Sequence, residues 1–301
     1  MATLIELTQQ VDPGAVSDEE RLGRDVQLMT PQQLYELWER QQWASQAIDL
    51  SRDPDDWAAL DDADREECLW GLSSFFVGEE RVATEFSGLV MAYEDEQEEA
   101  FLATQQVDEA RHMQFFDRWY REVPDYDDTS ISGRLEMARR DVSDAFIELF
   151  DGVLVDSGKR LIDDPKNIEA KVDYIVTYHL LIEGVLALTG QHFMTSFFES
   201  RGILPGFVEG FTNISRDEHR HVAYGTWFLQ QKAREERYAK RIQDRIAELL
   251  PVTAGVLVPA GKSLGDDYTF MGYTSQEQAE WSFAALTRRL KVIGVGLPVP
   301  A

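Results

Sequence analysis

The chain has 301 residues, with 55 Asp and Glu against 29 Lys and Arg for a net charge of −26, and 44% of it is hydrophobic. That is enough apolar material for a sizeable core, and an acid excess without a basic stripe argues against phosphate-backbone binding, so no nucleic-acid partner is expected. A single cysteine, Cys68, cannot form an internal disulfide, and no basic-then-apolar leader pattern opens the sequence, so a cytoplasmic location is expected.

Residues 1–30 are polar, contain Pro13 and Gly14, and read as an N-terminal extension. Gly (20) and Pro (10) are sparse in the chain as a whole, and apolar residues recur at helical rather than alternating spacing, which predicts an all-α domain over residues 31–301. A first helix begins at Pro31 after Thr30, and the pattern pauses at residues 53–56; a second helix starts at about Asp61. Over residues 66–93 the positions Leu69, Phe75, Phe76, Val82, Phe86 and Val90 share helical spacing, acids interrupt at 94–99, and residues 100–120 resume the pattern. This predicts a helical hairpin. Residues 124–133 read as loop, 134–157 as a helix and 163–167 as loop. A second hairpin spans 168–200 and 204–238, with Gly202, Pro205 and Gly206 at its bend. One more helix, a Pro/Gly-rich stretch and a final helix over 275–291 complete the chain. The longest uncharged apolar run, 249–261, is about 13 residues with two prolines, short of the roughly 18 that a spanning helix needs, so no integral membrane segment is expected.

Two pentads match: Asp108-Glu109-Ala110-Arg111-His112 and Asp217-Glu218-His219-Arg220-His221, both Asp-Glu-x-Arg-His. Each lies on the second helix of a hairpin, and residues three apart share a helix face, so each Glu/His pair can present a carboxylate and an imidazole to one metal. A dinuclear site of this design also needs one inward carboxylate from the first helix of each hairpin. Glu79 precedes Glu109 by 30 residues, which places both about 15 residues, or roughly 22 Å, from a bend near residue 94. Glu80 competes for the role, and Glu79 is preferred. Glu183 is a lone charge in an apolar run and precedes Glu218 by 35; burying it is costly unless it is paired or metal-bound. Four carboxylates and two neutral imidazoles balance two divalent ions, and an oxygen/nitrogen donor set without thiolate favours iron or manganese. An O₂-reactive dimetal centre follows as the functional expectation.

These residues resemble the ferritin-like dimetal carboxylate proteins, and more narrowly the small-subunit-like branch of ribonucleotide reductase, over residues of about 35–235. Residues 43–53 look like that family's segment before the first core helix. The resemblance implies a ferritin-like four-helix bundle with additional helices, and a link from Trp43 through Asp217 to His112. The radical-bearing tyrosine usual in reductase subunits, four residues after the first ligand histidine, is replaced by Phe116. Val82, three after Glu79, and Tyr178, five before Glu183, look like the pair in the ligand-binding oxidases of this branch. Those enzymes activate O₂ at a heterodinuclear Mn/Fe centre, form a Val–Tyr ether cross-link and bind a long-chain fatty-acid-like ligand. The resemblance thus implies manganese held by Glu79, Glu109 and His112, and iron held by Glu183, Glu218 and His221, or a di-iron pair in the same places. It makes Val82 and Tyr178 the residues oxidised, and it implies a homodimer. Val82, one turn from Glu79, should face the metals; five residues of regular helix turn Tyr178 about 140° away from Glu183, so it faces the site only where the helix is distorted. Phe75, Phe86, Phe116, Leu186 and Phe211 are candidates to line an acyl tunnel. The alternatives are a reductase small subunit, disfavoured because no long flexible tail precedes the end of the chain, and a ferritin-like iron-handling protein.

Overall fold

The computed structural model describes residues 26–124, 126, 130–259, 261–263 and 265–296; most of the expected extension, residues 1–25, lies outside them. Helix α1, Pro31–Arg40, starts on a capping box in which the Thr30 hydroxyl and the Gln33 side chain each take a backbone N–H, with Pro31 in the first turn. The segment read as a pause is itself a helix start. Helix α2, Asp53–Ala59, carries Asp53, Asp55 and Asp56 in its first turn with Pro54, the residues that favour the positive end of a helix dipole.

Helix α3, Asp62–Glu85, is capped by Asp61 and is followed by the short α4, Ser87–Met91. Asp95 then takes the N–H groups of Gln97 and Glu98 to open α5, Glu96–Glu122. The acidic interruption in the sequence is therefore an N-terminus rather than the middle of a turn. The single helix expected over 134–157 is broken: α6 is Ile131–Ala138, and Ser143 caps a new start at α7, Asp144–Ile147. That second helix runs on through a π-helical stretch, Glu148–Leu154, into α8, Val155–Asp163. A local Ser cap outcompetes continuation here.

One long rod follows, made of α9, Ile168–Ile175, a π-helical stretch, Val176–Ala187, and α10, Leu188–Arg201. It is long and apolar enough to cross a bilayer, yet 94% of its most apolar window is buried inside the protein, as befits a central core helix. Gly202, at φ 64°, ends it in the left-handed region open to glycine. Helix α11 is Pro205–Lys232 and α12 is Glu236–Val256. A two-stranded antiparallel hairpin, β1 Thr269–Phe270 and β2 Tyr273–Thr274, leads into α13, Ser275–Ile293, which has its own capping box at Thr274 and Glu277.

Helices α3, α5, α11 and the rod form the four-helix bundle, with α1 laid across α5 and α11, and α12 and α13 packed on the rod. The bundle is locked at one end by α2. Buried Asp53 accepts the N–H groups of Gly206 (2.9 Å) and Phe207 (2.7 Å), capping α11, whose own N-cap residue Leu204 offers no side-chain acceptor. Gly206 is needed for that approach, because a Cβ there would lie 2.3 Å from the Asp49 carbonyl oxygen. Gly206→Ala should therefore cost about 1–3 kcal/mol of stability through overpacking. Gly152→Ala, where a Cβ meets nothing within 4 Å, should stay within roughly 0.5 kcal/mol of wild type; denaturant titration of the two variants checks both.

Candidate metal centre

Each hairpin of the bundle brings one carboxylate and one Glu/His pair to the same height. Glu79 on α3, Glu109 and His112 on α5 and Glu218 on α11 have donor atoms within 4.8 Å of one another, as do Glu109, Glu183, Glu218 and His221. All six side chains expected from the sequence are buried, and Glu109 and Glu218 belong to both groups. Glu80 is only half-buried and in neither. The two histidines are used alike. Nδ1 of His112 lies 3.5 Å from Glu79, 3.5 Å from Glu109 and 3.4 Å from Glu218. Nδ1 of His221 lies 3.2 Å from Glu109, 3.2 Å from Glu183 and 3.4 Å from Glu218.

The outward nitrogens are also treated alike. Nε2 of His112 faces Asp217 at 3.3 Å, and Nε2 of His221 faces Asp108 at 3.3 Å. Trp43 donates its indole N–H to Asp217 at 2.7 Å, the link that the resemblance implied. Trp38 donates to Asp108 at 2.9 Å in the same way. Arg220 joins the two halves, at 2.9 Å from Asp108 and 2.5 Å from Asp217. Such outer partners fix the imidazole orientation and raise its basicity as a ligand. Sequence reading found only the Asp217 half; the duplicated pentad already carried the signal for Asp108, whereas nothing in the sequence singled out Trp38.

Tyr178 reaches the cluster because its helix is distorted. Glu183 and Tyr178 both lie in the π-helical stretch of the rod, whose i to i+5 bonding puts residues five apart on one face. The Tyr178 hydroxyl donates to Glu109 at 2.6 Å. Burial, then the charges of Glu109 and Glu183, hold its phenol well above the usual range, so it stays a donor. Gln105, missed from sequence, donates to Glu183 at 3.1 Å and meets Nε2 of His179 at 3.1 Å. Phe116 stands stacked on Phe75 in the core.

A cleft runs from this cluster along α3, with Val82, Gly78 and Phe75 on one wall and Tyr178, Ile182 and Leu186 on the other. Of the five tunnel candidates, Phe75 and Leu186 line it; Phe86 instead packs on Tyr178 and His179, and Phe211 on Phe116. Phe146, Phe150, Leu257 and Phe270 line it as well; they come from segments where nothing in the sequence marked proximity.

The donor set suits two ions. Nδ1 of His112 and Oε2 of both Glu183 and Glu218 are buried without a hydrogen-bond partner, an expensive arrangement unless a cation is meant to take them. The electrostatics agree. Burial pushes Glu79 up to about 8 against the pull of His112, and burial with the Glu218 charge raises Glu183. Burial alone would pull both imidazoles down, but the surrounding carboxylates hold them well above their ordinary value. Asp108, despite burial, is held down to about 2 by His221 and Arg220.

The family model for the small chain of ribonucleotide reductase matches residues 26–253. The chain belongs to that family. Solved structures of R2-like ligand-binding oxidases share its small-chain fold. One with an aerobically reconstituted Mn/Fe cofactor has a TM-score of 0.74 at 24% identity, covering 88% of this chain and 92% of its own. A Tyr-to-Phe variant with the same treatment gives 0.72 at 23% identity over 89% and 94%. A Val-to-Ala variant, reconstituted anaerobically, gives 0.73 at 23% over the same shares. Small-chain membership, with a buried cluster suited to two ions, makes the protein a dimetal-centre oxidoreductase.

Glu79, Glu183, His112 and His221 all hold protons more tightly in the folded chain than their free counterparts do. The stability they contribute is complete below their unfolded pKa values, roughly 4.3 for Glu and 6.5 for His, and is lost as pH rises through the folded ones. Divalent ions displace these protons. In chelator-treated protein the thermal midpoint should fall between about pH 5 and pH 8, and the rise produced by adding Mn(II) should grow over that interval. Calorimetry at several pH values, with and without Mn(II), checks the sign; a metal-induced rise that shrinks with pH would contradict it.

Proposed function

We propose that the chain is an O₂-activating Mn/Fe oxidase that binds a long-chain fatty-acid-like ligand and carries out two-electron C–H oxidation. The observation that carries this reading is the position of Tyr178, its hydroxyl on Glu109 and its ring on the wall of the cleft opposite Val82. Glu79, Glu109 and His112 would hold manganese, and Glu183, Glu218 and His221 iron, with Glu109 and Glu218 between them. When bound and reduced, the pair would supply O₂ activation and two electrons, which with two withdrawn from the protein would complete the reduction of O₂ to water.

The side chains prepare the other half of that reaction. The Tyr178 hydroxyl, oriented by Glu109, gives up its proton and a carbon of Val82 loses one hydrogen, both leaving in the water formed; the C–O bond then joins them as an ether, with two hydrogens and two electrons removed in all. The cleft holds the acyl chain and keeps water from the reacting carbon. No Lys or Arg is among the described residues that line it, so an acid head group finds its counter-charge only at the metal end. The related structures with Mn/Fe cofactors and ligand-binding oxidase activity support the same assignment.

A second reading, a reductase small subunit with a Mn/Fe or di-iron centre, draws on the family match. It leaves the Val82 and Tyr178 arrangement and the apolar cleft without a role. Homodimer assembly and a cytoplasmic setting go with either reading as family and composition expectations. Intact-protein mass after aerobic loading with Mn(II) and Fe(II) separates the two: wild type should lose two hydrogens and yield a linked peptide pair, and Tyr178→Phe should lose none. A wild-type mass unchanged by oxygen, with metals bound, would overturn the oxidase reading.

A further inference from the structure

We propose that Phe270, carried on the β1–β2 hairpin, is a fixed end wall that sets the length of the acyl chain the cleft accepts. The inference rests on the fatty-acid reading above. The cleft follows α3 from Val82 back to Trp70, 12 residues of helix, or about 18 Å. The opposite wall runs the other way, from Tyr178 to Gly190. The carboxylate and imidazole cluster occupies the Val82 end, so a chain anchored by its acid group there extends toward Trp70, Gly71 and Phe270.

Missing side chains make the room along this path, and aromatic rings finish its walls. A Cβ on Gly78 would lie 3.3 Å from the Phe150 ring, one on Gly190 would lie 2.8 Å from Phe75, and one on Gly71 would lie 2.9 Å from Cζ of Phe270. The Phe270 ring tip thus rests on bare α3 backbone at the end far from the cluster. It meets Trp70 edge-on, with ring centroids 5.2 Å apart.

The hairpin is anchored on three sides, which makes it a wall rather than a lid. Its two-residue loop, Met271–Gly272, has φ 51° and 75°, as the tightest right-twisted hairpins require. Met271 is an unusual residue for that region, and it is fully buried there with its N–H on Glu67 of α3 at 2.7 Å. The Gln278 amide, from α13, donates to the carbonyls of Tyr273 and Thr274 at 3.2 and 3.4 Å. Tyr273 packs on Phe193 of α10 at 4.7 Å. A strained residue persists only where its surroundings over-determine it, and these contacts hold Phe270 in one place.

The test is competition between straight-chain saturated fatty acids, from decanoic to eicosanoic, and a fluorescent fatty-acid analogue on the metal-loaded protein. Phe270→Ala should shift preference to longer acids, with a relative gain of about tenfold over the wild-type optimum, the scale of a lost contact in an apolar pocket. Gly71→Ala, whose methyl enters the same end from α3 and presses on the Phe270 ring tip, should shift it to shorter acids. Wild-type length preference retained in either folded variant would overturn the end-wall assignment. Wild type that displaces the probe with none of the acids would instead overturn the fatty-acid reading and this inference with it.

Discussion

Four carboxylates gathered in the centre of a helical bundle are the constraint around which the rest is arranged. Two unit charges about 4 Å apart repel by about 4 kcal/mol at the effective dielectric usual for proteins, and this cluster contains several such pairs. The chain answers with positive charge at fixed places. Two imidazoles turn their Nδ1 atoms inward, and Asp108 and Asp217 hold the outward nitrogens. Arg220 and Arg111 then balance those aspartates. Removing one partner would leave a buried charge uncompensated, which costs more than the pair contributes. Three donor atoms of the cluster stay buried without a hydrogen-bond partner, and that is why it reads as a cation site rather than as a salt-bridged core.

The same bundle also makes a cavity, and it does so where helix geometry is irregular. The two π-helical stretches, Glu148–Leu154 and Val176–Ala187, both flank the cleft. The first presents Phe150, stacked on Phe146 at 4.1 Å, and the second presents Tyr178, Ile182 and Leu186. Such turns are frequent at functional sites, and here the reason is visible. A regular helix through 178–183 would place either Glu183 or Tyr178 in the bundle, whereas the wider turn places both.

The ligand-bearing part of the structure was legible in the sequence because it depends on spacing along regular helices. Glu109 with His112 and Glu218 with His221 lie three apart, and Glu79 and Glu183 follow from symmetry about the bends. The all-α class followed from the same periodicity, and the ferritin-like bundle from the resemblance. Illegible features were those in which a local signal is overridden or the partner is remote. Asp53 to Asp56 look like a break but begin α2, and Ser143 splits a helix that periodicity carries through. Tyr178 was readable only as a condition, since five-residue spacing needs a distortion that no residue announces. Phe270 and Gln105 act across the fold, and their sequence neighbours give no hint of where they land.

The duplicated pentads make the two halves nearly equivalent in their Glu/His pairs, and what distinguishes them are the groups set around those pairs. Helix α3 is regular where it carries Glu79, and His112 is the imidazole beside that carboxylate. Glu183 sits on the widened rod and has a neutral donor in Gln105 besides His221, while Tyr178 donates to the shared Glu109 beside it. One half is therefore a carboxylate and imidazole site with little else around it, and the other carries extra hydrogen-bond donors. Donor atoms alone do not select between first-row metals, because oxygen and nitrogen ligands serve manganese and iron alike; the surrounding hydrogen bonds and solvent access tune each site. On the Mn/Fe reading, the two halves therefore differ less in the six side chains that would hold the ions than in Gln105 and Tyr178, the hydrogen-bond donors gathered around the Glu183 half.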